Sequence, residues 1–175
     1  MNTKAILTNA ISELLQETSF DKLTVQMILE RSGVSRATFY RYFRDKYNVM
    51  NFYYQSHVDT LISKEDGTNW HIILTEICNF IYKNQAYFSK VVKVEGANSF
   101  REFLHQYSFN FYEREYLKRK GIKSLSVEEQ ICMEFYSKGG EFTFENWVRR
   151  GFQEPPEVIS GIIIKLMPEF MRPYY

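Results

Sequence analysis

Cysteine, proline and long hydrophobic runs are all scarce in this sequence, whose 175 residues include 2 cysteines and 4 prolines. Cys78 and Cys132 have no CxxC spacing, which excludes a disulfide framework and gives no zinc-ligand pattern. The most apolar stretches, residues 72–74 and 162–164, are far shorter than the roughly 18 to 20 residues of a membrane-spanning helix. No export signal is apparent at the N-terminus. We therefore expect a protein of the reducing cytoplasm that has no contact with a membrane.

Motifs of the common enzyme classes are absent too, because the sequence has no glycine-rich phosphate loop, HExxH or GxSxG. The best reactive candidate is Glu102 with His105 three residues later, the spacing used by di-iron helical bundles. Such bundles need a second Glu-x-x-His pair, and neither His57 nor His71 follows a glutamate at that spacing. We expect no catalytic residue, no metal and no cofactor. A helical-bundle enzyme is the weaker alternative.

Charge is nearly balanced over the whole chain, with a formal net charge of +1, but it is not evenly spread. Between Lys22 and Lys46, six basic side chains stand against only two acidic ones. A basic segment on an otherwise near-neutral protein is either a solvated helix face or a surface that meets phosphate groups. Charge alone leaves both interpretations open.

Apolar residues recur at spacings of three and four along almost the whole chain, and strict alternation is rare. This periodicity predicts an all-helical, all-α protein. The N-terminal part has the clearest helix boundaries, because Thr24 and Ser35 are suitable N-caps and Gly33 can end the intervening helix with a positive φ. Phe39 is spaced to clamp the start of the next helix against Val34.

The sequence predicts two short helices joined by a tight turn at residues 32–34, and the second helix is basic and rich in Thr and Tyr. This pattern meets the requirements of a helix-turn-helix. The major groove of DNA admits one α-helix. A helix that begins at Ser35 would direct Arg36 and Thr38 toward base edges, while two phenylalanines four residues apart anchor its opposite face.

The stretch from Thr24 to Lys46 resembles the DNA-binding signature of TetR-type transcriptional regulators. The resemblance covers about residues 4 to 54 and implies a homodimer on a pseudo-palindromic double-stranded DNA operator. Residues 1–46 would form the helix-turn-helix DNA head, and residues 47–175 a helical domain that dimerises and often binds an effector. By this resemblance Thr24 and Lys46 meet phosphates, Arg36 and Thr38 reach bases, and Tyr40 and Tyr42 contact the backbone. The full predicted set of DNA-contacting residues is Thr24, Ser35, Arg36, Ala37, Thr38, Tyr40, Arg41, Tyr42 and Lys46.

The C-terminal half resembles a TetR subtype that includes the coactivator of dihydroxyacetone kinase operons, through the pair Gly139–Gly140, Trp147 and Pro155–Pro156. Each glycine inside a helix costs roughly 1 kcal/mol relative to alanine, which favours either a close approach of another backbone or a local helix break. We predict that helices over about residues 126–150 and 156–167 pair with their symmetry mates. The residues expected at this dimer interface are Phe135, Gly139, Trp147, Ile159, Ile162, Ile163 and Leu166.

A long fourth helix is expected to begin at Asp45, to end at a break over residues 64–67, and to act as a lever between the DNA head and the rest. Ordinary core packing explains the many aromatic residues as well as a ligand pocket does. The candidates for a pocket lining are Tyr53, Tyr54, Trp70, Tyr107 and Phe111. The predicted function is that of a repressor controlled by a small-molecule effector, and the alternative is a coactivator controlled by a protein partner.

Overall fold

The structure, a computed structural model, describes residues 2–64 and 69–175. The chain is 75% helical and has no strand within this part, which confirms the all-α prediction. The α-helices in the described ranges are α1 (Thr3–Glu17), α2 (Val25–Ser32), α3 (Arg36–Tyr42), α4 (Lys46–Lys64), α5 (Trp70–Lys83), α6 (Gln85–Val91), α7 (Phe100–Lys120), α8 (Val127–Arg149) and α9 (Pro156–Lys165). A short 3-10 helix, Arg172–Tyr174, follows. Of the predicted break at residues 64–67, only Lys64, the last residue of α4, lies within the described residues.

The predicted helix boundaries of the N-terminal part are present. The hydroxyl of Thr24 accepts a hydrogen bond from the backbone N–H of Met27 at 3.2 Å. Gly33 ends α2 with a φ of 67°, in the left-handed region that glycine adopts without a steric penalty. Ser35 then caps α3, accepting from the N–H of Thr38 at 3.2 Å. These local hydrogen bonds set the turn that joins α2 to α3.

The first three helices enclose a core of their own. Ile11 on α1, Ile28 on α2 and Phe39 on α3 each have no exposed surface. On the outside, the guanidinium of Arg31 on α2 forms ion pairs with Glu13 and Glu17 of α1, at 3.4 and 2.7 Å. The hydrogen bond from Arg31 lowers the pKa of Glu17. The relative placement of α1 and α2 is therefore fixed both inside and outside.

Helices α5 to α9 form the larger body, in which α7 packs against α8 and α5 against α9. Arg101 of α7 donates to both carboxylate oxygens of Glu145 on α8, each at 3.1 Å. At the other end of the same pair, Lys120 of α7 and Glu129 of α8 are 2.6 Å apart. Charged contacts at both ends thus hold the register of α7 against α8.

Within the body, helix α6 contacts both the three-helix head and α4. Lys90 of α6 donates to the backbone carbonyl of Thr18, just beyond α1, at 3.0 Å. The hydroxyl of Tyr87, also on α6, donates to the carbonyl of Met50 in α4 at 2.8 Å. A displacement of α6 would therefore act on α1 and α4 together.

Within the described ranges, no helix combines the length and the apolar character needed to cross a membrane.

Candidate nucleic-acid interface

Helix α3 presents a continuous exposed face next to the turn after α2. Its opposite face is anchored by Phe39, which is fully buried and lies 6.2 Å from Phe43 between ring centroids. Phe43 in turn contacts the ring of Phe52 on α4 at 5.4 Å. The predicted DNA-contacting residues of this region that are exposed are Thr24, Ser35, Arg36, Ala37, Tyr40, Arg41 and Tyr42.

Thr38, one of the two predicted base readers, is only half-buried, and its hydroxyl is already engaged. It accepts from the hydroxyl of Ser35 at 2.9 Å and from the guanidinium of Arg41 at 3.5 Å. Ser35, Thr38 and Arg41, three of the predicted DNA-contacting residues, therefore restrict one another's side-chain conformations. Less rotational freedom remains to be lost when the surface binds a partner.

Lys46 is the one predicted phosphate contact whose charged group turns inward. Its ammonium donates to the backbone carbonyls of Phe20, Asp21 and Leu23, at 2.9, 3.4 and 2.7 Å. Burial lowers the pKa of this lysine. The expectation that Lys46 faces phosphate is thus corrected: its three donors join the α1–α2 connection to the start of α4. These acceptors lie more than 20 residues away along the chain, which is why local sequence spacing could not reveal them.

We expect Lys46→Met to destabilise the head by about 1 to 3 kcal/mol, because three carbonyls lose a charged donor. Thermal unfolding followed by circular dichroism measures this change. Lys22→Met is the matched control, since Lys22 is exposed on the same connection. An unchanged melting temperature for Lys46→Met, together with a weaker salt dependence of DNA binding, would instead assign Lys46 to phosphate.

A second surface lies on α8 and α9, where large apolar side chains are exposed to solvent. Phe135 is 81% exposed, Leu166 66% and Ile162 45%. Between them runs a groove of about 460 Å³, whose lining includes Gly139 and Gly140. Further exposed apolar residues on α8 are Val127, Ile131 and Phe142. We refer to Ile131, Phe135, Phe142, Ile162 and Leu166 as the α8–α9 face.

Helix α8 runs through Gly139 and Gly140 without interruption, so the alternative of a local helix break is wrong. Apart from its chain neighbours and the backbone of its own helix, a Cβ atom added at either glycine would meet no atom of the chain within 4 Å. Nothing inside this chain therefore requires glycine at these two positions. They leave an open notch on an apolar surface.

Two of the predicted interface residues, Trp147 and Ile159, point into the chain's own core, and the prediction is corrected for them. Trp147 has no exposed surface, and its indole N–H donates to the carbonyl of Glu154 at 2.9 Å. Ile159 and Ile163 are 2% and 4% exposed. Trp147 and Ile159 are therefore core residues, whereas the small exposed part of Ile163 lies in the wall of the groove. The apolar pattern of α8 and α9 covers two faces, and periodicity alone did not separate the inner face from the outer one.

Four of the five predicted pocket residues come together. Tyr54, Trp70, Tyr107 and Phe111 line one internal cavity between α4, α5, α7 and α8. Its volume is about 20 Å³, space for about one water molecule. Their rings are packed as a core, and a ligand of metabolite size would enter only if the surrounding helices separated.

Tyr53 lies on a different side of α4, so it does not share this cavity with the other four and instead lines a separate surface cavity between α1, α4 and α5. Its hydroxyl donates to the side-chain carbonyl of Asn84 at 2.9 Å, and its ring centroid lies 4.5 Å from that of Tyr87. Successive residues of a helix point about 100° apart, so Tyr53 and Tyr54 face different neighbours.

The same cavity has an acidic wall that sequence reasoning missed. Glu141 of α8 is only 4% exposed, and its carboxylate is 2.9 Å from the ammonium of Lys138. A buried carboxylate needs such a partner, since an unpaired one would be strongly destabilising. No local signal marks Glu141, because an acidic residue between apolar ones is usually the exposed member of a helix.

Comparison with known families decides the identity of the fold. Residues 7–51 match the family described as bacterial regulatory proteins, tetR family, and residues 68–169 match the family described as transcriptional regulator C-terminal region. The chain belongs to the TetR family.

Two curated relatives match parts of this chain. DhaS of Lactococcus lactis subsp. lactis, an HTH-type dhaKLM operon transcriptional activator, is 22% identical over 94 residues, which are 53% of this chain and 50% of DhaS. YdeS of Bacillus subtilis, an uncharacterized HTH-type transcriptional regulator, is 31% identical over 129 residues, 72% of this chain and 65% of YdeS. The matches thus span about half to two thirds of the length of these relatives.

Solved structures of TetR regulators share the whole fold. The structure of the dihydroxyacetone kinase operon activator DhaS matches with a TM-score of 0.68 at 17% identity, over 98% of this chain and 97% of that one. A TetR regulator from Streptococcus agalactiae matches with a TM-score of 0.60 at 20% identity, over 95% and 94% of the two chains. At these identities the likeness is one of fold. The C-terminal resemblance to the dihydroxyacetone kinase operon subtype is confirmed at that level.

Proposed function

We propose that this TetR-family chain is a homodimeric regulator that binds a pseudo-palindromic operator, with residues 1–46 as its DNA head and residues 47–175 as its dimerisation and control domain. The observation that carries the proposal is the exposed face of α3, where Arg36, Tyr40 and Arg41 project from a helix whose back is anchored by the buried Phe39. Arginine can read guanine in the major groove, and exposed tyrosines can donate to phosphates. A regulator of this kind is a binding protein rather than an enzyme, and in bacteria it acts in the cytoplasm, where the DNA lies.

Dimerisation is proposed through the α8–α9 face. A monomeric protein seldom exposes several large apolar side chains side by side, and Phe135 and Leu166 are both exposed by more than half. The interface of a two-fold dimer uses the same patch on both copies. The open notch at Gly139 and Gly140 provides room for a side chain of the second copy. A two-fold dimer presents two copies of α3 to two half-sites related by the same symmetry.

Control is proposed to act through α4. The 19 residues of this helix span about 28 Å at 1.5 Å per residue. Lys46 fixes the end next to the head, while Asp59, toward the other end, accepts a hydrogen bond of 2.6 Å from the hydroxyl of Tyr107 on α7. An effector that opens the adjoining aromatic cavity would shift this second end and change the spacing of the two heads, releasing the operator. If the operator overlaps a promoter, the bound dimer represses transcription from that promoter.

Binding to a selected operator duplex and to a scrambled duplex, measured by fluorescence anisotropy at rising salt, tests this function. We expect a clear preference for the operator and a loss of about 10³-fold in affinity between about 50 and 200 mM salt, as counterions are released from contacted phosphates. Equal, salt-independent binding to both duplexes would contradict the proposal. The same assay with candidate metabolites or with proteins of the host added separates effector control from control by a protein partner, and a promoter reporter separates repression from activation.

A further inference from the structure

Gln26 lies on α2, outside the recognition helix, yet its side chain connects to a predicted base reader. Its Nε2 donates to Oε1 of Glu30, one turn later on α2, at 2.8 Å. Its Oε1 accepts from Nη2 of Arg36, at the start of α3, at 3.4 Å. All three side chains are exposed. A chain of two hydrogen bonds thus crosses the turn between the helices.

The donor and acceptor of each of these two hydrogen bonds follow from the chemistry of the three side chains. A carboxylate only accepts hydrogen bonds and a guanidinium only donates them, whereas a primary amide does both through different atoms. Glu30 can therefore bond only the NH2 side of the Gln26 amide, which leaves the carbonyl oxygen facing Arg36. A flipped amide would place two donors against each other and two acceptors against each other. Glu30 fixes the orientation of the amide, and the amide fixes the guanidinium.

The hydrogen bond from Arg36 to Gln26 restricts the geometry of the arginine side chain. A guanidinium is a rigid planar fork with five donors, so one hydrogen bond at its edge restricts the orientation of the whole group. The remaining N–H groups are free to meet acceptors beyond the protein surface. The O6 and N7 atoms of guanine, two acceptors in the major groove, match two parallel N–H groups of this fork. A guanidinium held in place discriminates better than a mobile one, because it cannot turn to other acceptors nearby.

We propose that Gln26 is a positioning and specificity-determining residue of the operator interface, which holds Arg36 in the orientation that reads a guanine. This inference rests on the proposed function, in which Arg36 reaches a base. Within the head, Gln26 acts through Arg36, and Glu30 acts through Gln26.

The test is a double-mutant cycle read out as base preference, with full-length protein and DNA selected from a random duplex library. Gln26→Met keeps the length and helix propensity of the side chain and removes both hydrogen bonds. We expect it to lower the preference for guanine at the Arg36-dependent base pair by roughly two- to tenfold, the lower part of the range of coupling between contacting residues. Affinity for non-specific DNA and the melting temperature remain unchanged, because all three side chains are exposed. Gln16→Met, at an exposed glutamine of α1, is the control and leaves the preference intact.

In the Arg36→Ala background, Gln26→Met is expected to have no further effect. If it lowered the preference equally in both backgrounds, Gln26 would read a base directly and the positioning role would be overturned. If it changed nothing while Arg36→Ala abolished the preference, the positioning role would fail and the recognition helix would stand. If Arg36→Ala itself left the preference unchanged, the assignment of the recognition helix would fail, and this inference with it.

Discussion

Phe135→Asp is expected to convert the dimer to monomers and to lower operator affinity by about 10²-fold or more, since each head then binds its half-site without the gain from a linked second site. Phe135 is the most exposed large apolar residue of the α8–α9 face. A carboxylate at this position is harmless in the monomer, where water solvates it, but costs several kcal/mol when a second copy buries it unpaired. Sedimentation velocity gives the oligomeric state directly.

Two control variants separate a lost interface from a damaged fold. Ile72→Asp introduces the same charge at an isoleucine on α5 that is 43% exposed and does not line the groove. We expect this variant to leave the dimer intact. Ile163→Asp, at a residue only 4% exposed, destabilises the chain itself. A Phe135→Asp protein that sediments as an unaltered dimer would remove the α8–α9 face from consideration.

Arg36→Ala is the second change with a large expected effect. Loss of a bidentate contact to a base costs about 1 to 3 kcal/mol in each half-site and relaxes the preference at that base pair. Affinity for non-specific DNA falls only slightly, because most phosphate contacts remain. Anisotropy titrations with duplexes that vary one base pair at a time measure both quantities.

Arg31→Ala is the matched control for Arg36→Ala, since it removes the same positive charge from the neighbouring helix. Arg31 is occupied by Glu13 and Glu17 of α1. We therefore expect the loss of Arg31 to leave the base preference intact and to weaken only the packing of α1 against α2. Equal loss of base preference in both variants would mean that charge, rather than a direct contact of Arg36, determines affinity.

The features that the sequence predicted well are those set by neighbours along the chain. Thr24, Gly33 and Ser35 define the turn of the helix-turn-helix through hydrogen bonds and a backbone angle that involve residues only a few positions away. The same locality places Phe39 behind the exposed face of α3. Local chemistry of this kind can be read from spacing alone.

The features that the sequence could not predict depend on distant partners. Lys46 finds its carbonyl acceptors more than 20 residues away, and only the folded chain brings them together. Trp147 and Phe135 are both aromatic residues of α8, yet one is fully buried and the other is 81% exposed. Which apolar face meets the chain's own core is decided by the packing of α7 and α9. Hydrophobic spacing identifies the helix but not the neighbour of each face.

Selection of genomic fragments by the purified wild-type protein tests most directly whether two copies of α3 read a symmetric operator. We predict enrichment of an inverted repeat, with half-site centres separated by one helical turn of DNA, about 34 Å, or by a multiple of it. The same selection with Arg36→Ala should lose the preference at one symmetric pair of positions. Enrichment of fragments with no shared sequence, or of a motif without two-fold symmetry that Arg36→Ala leaves unchanged, would contradict this prediction.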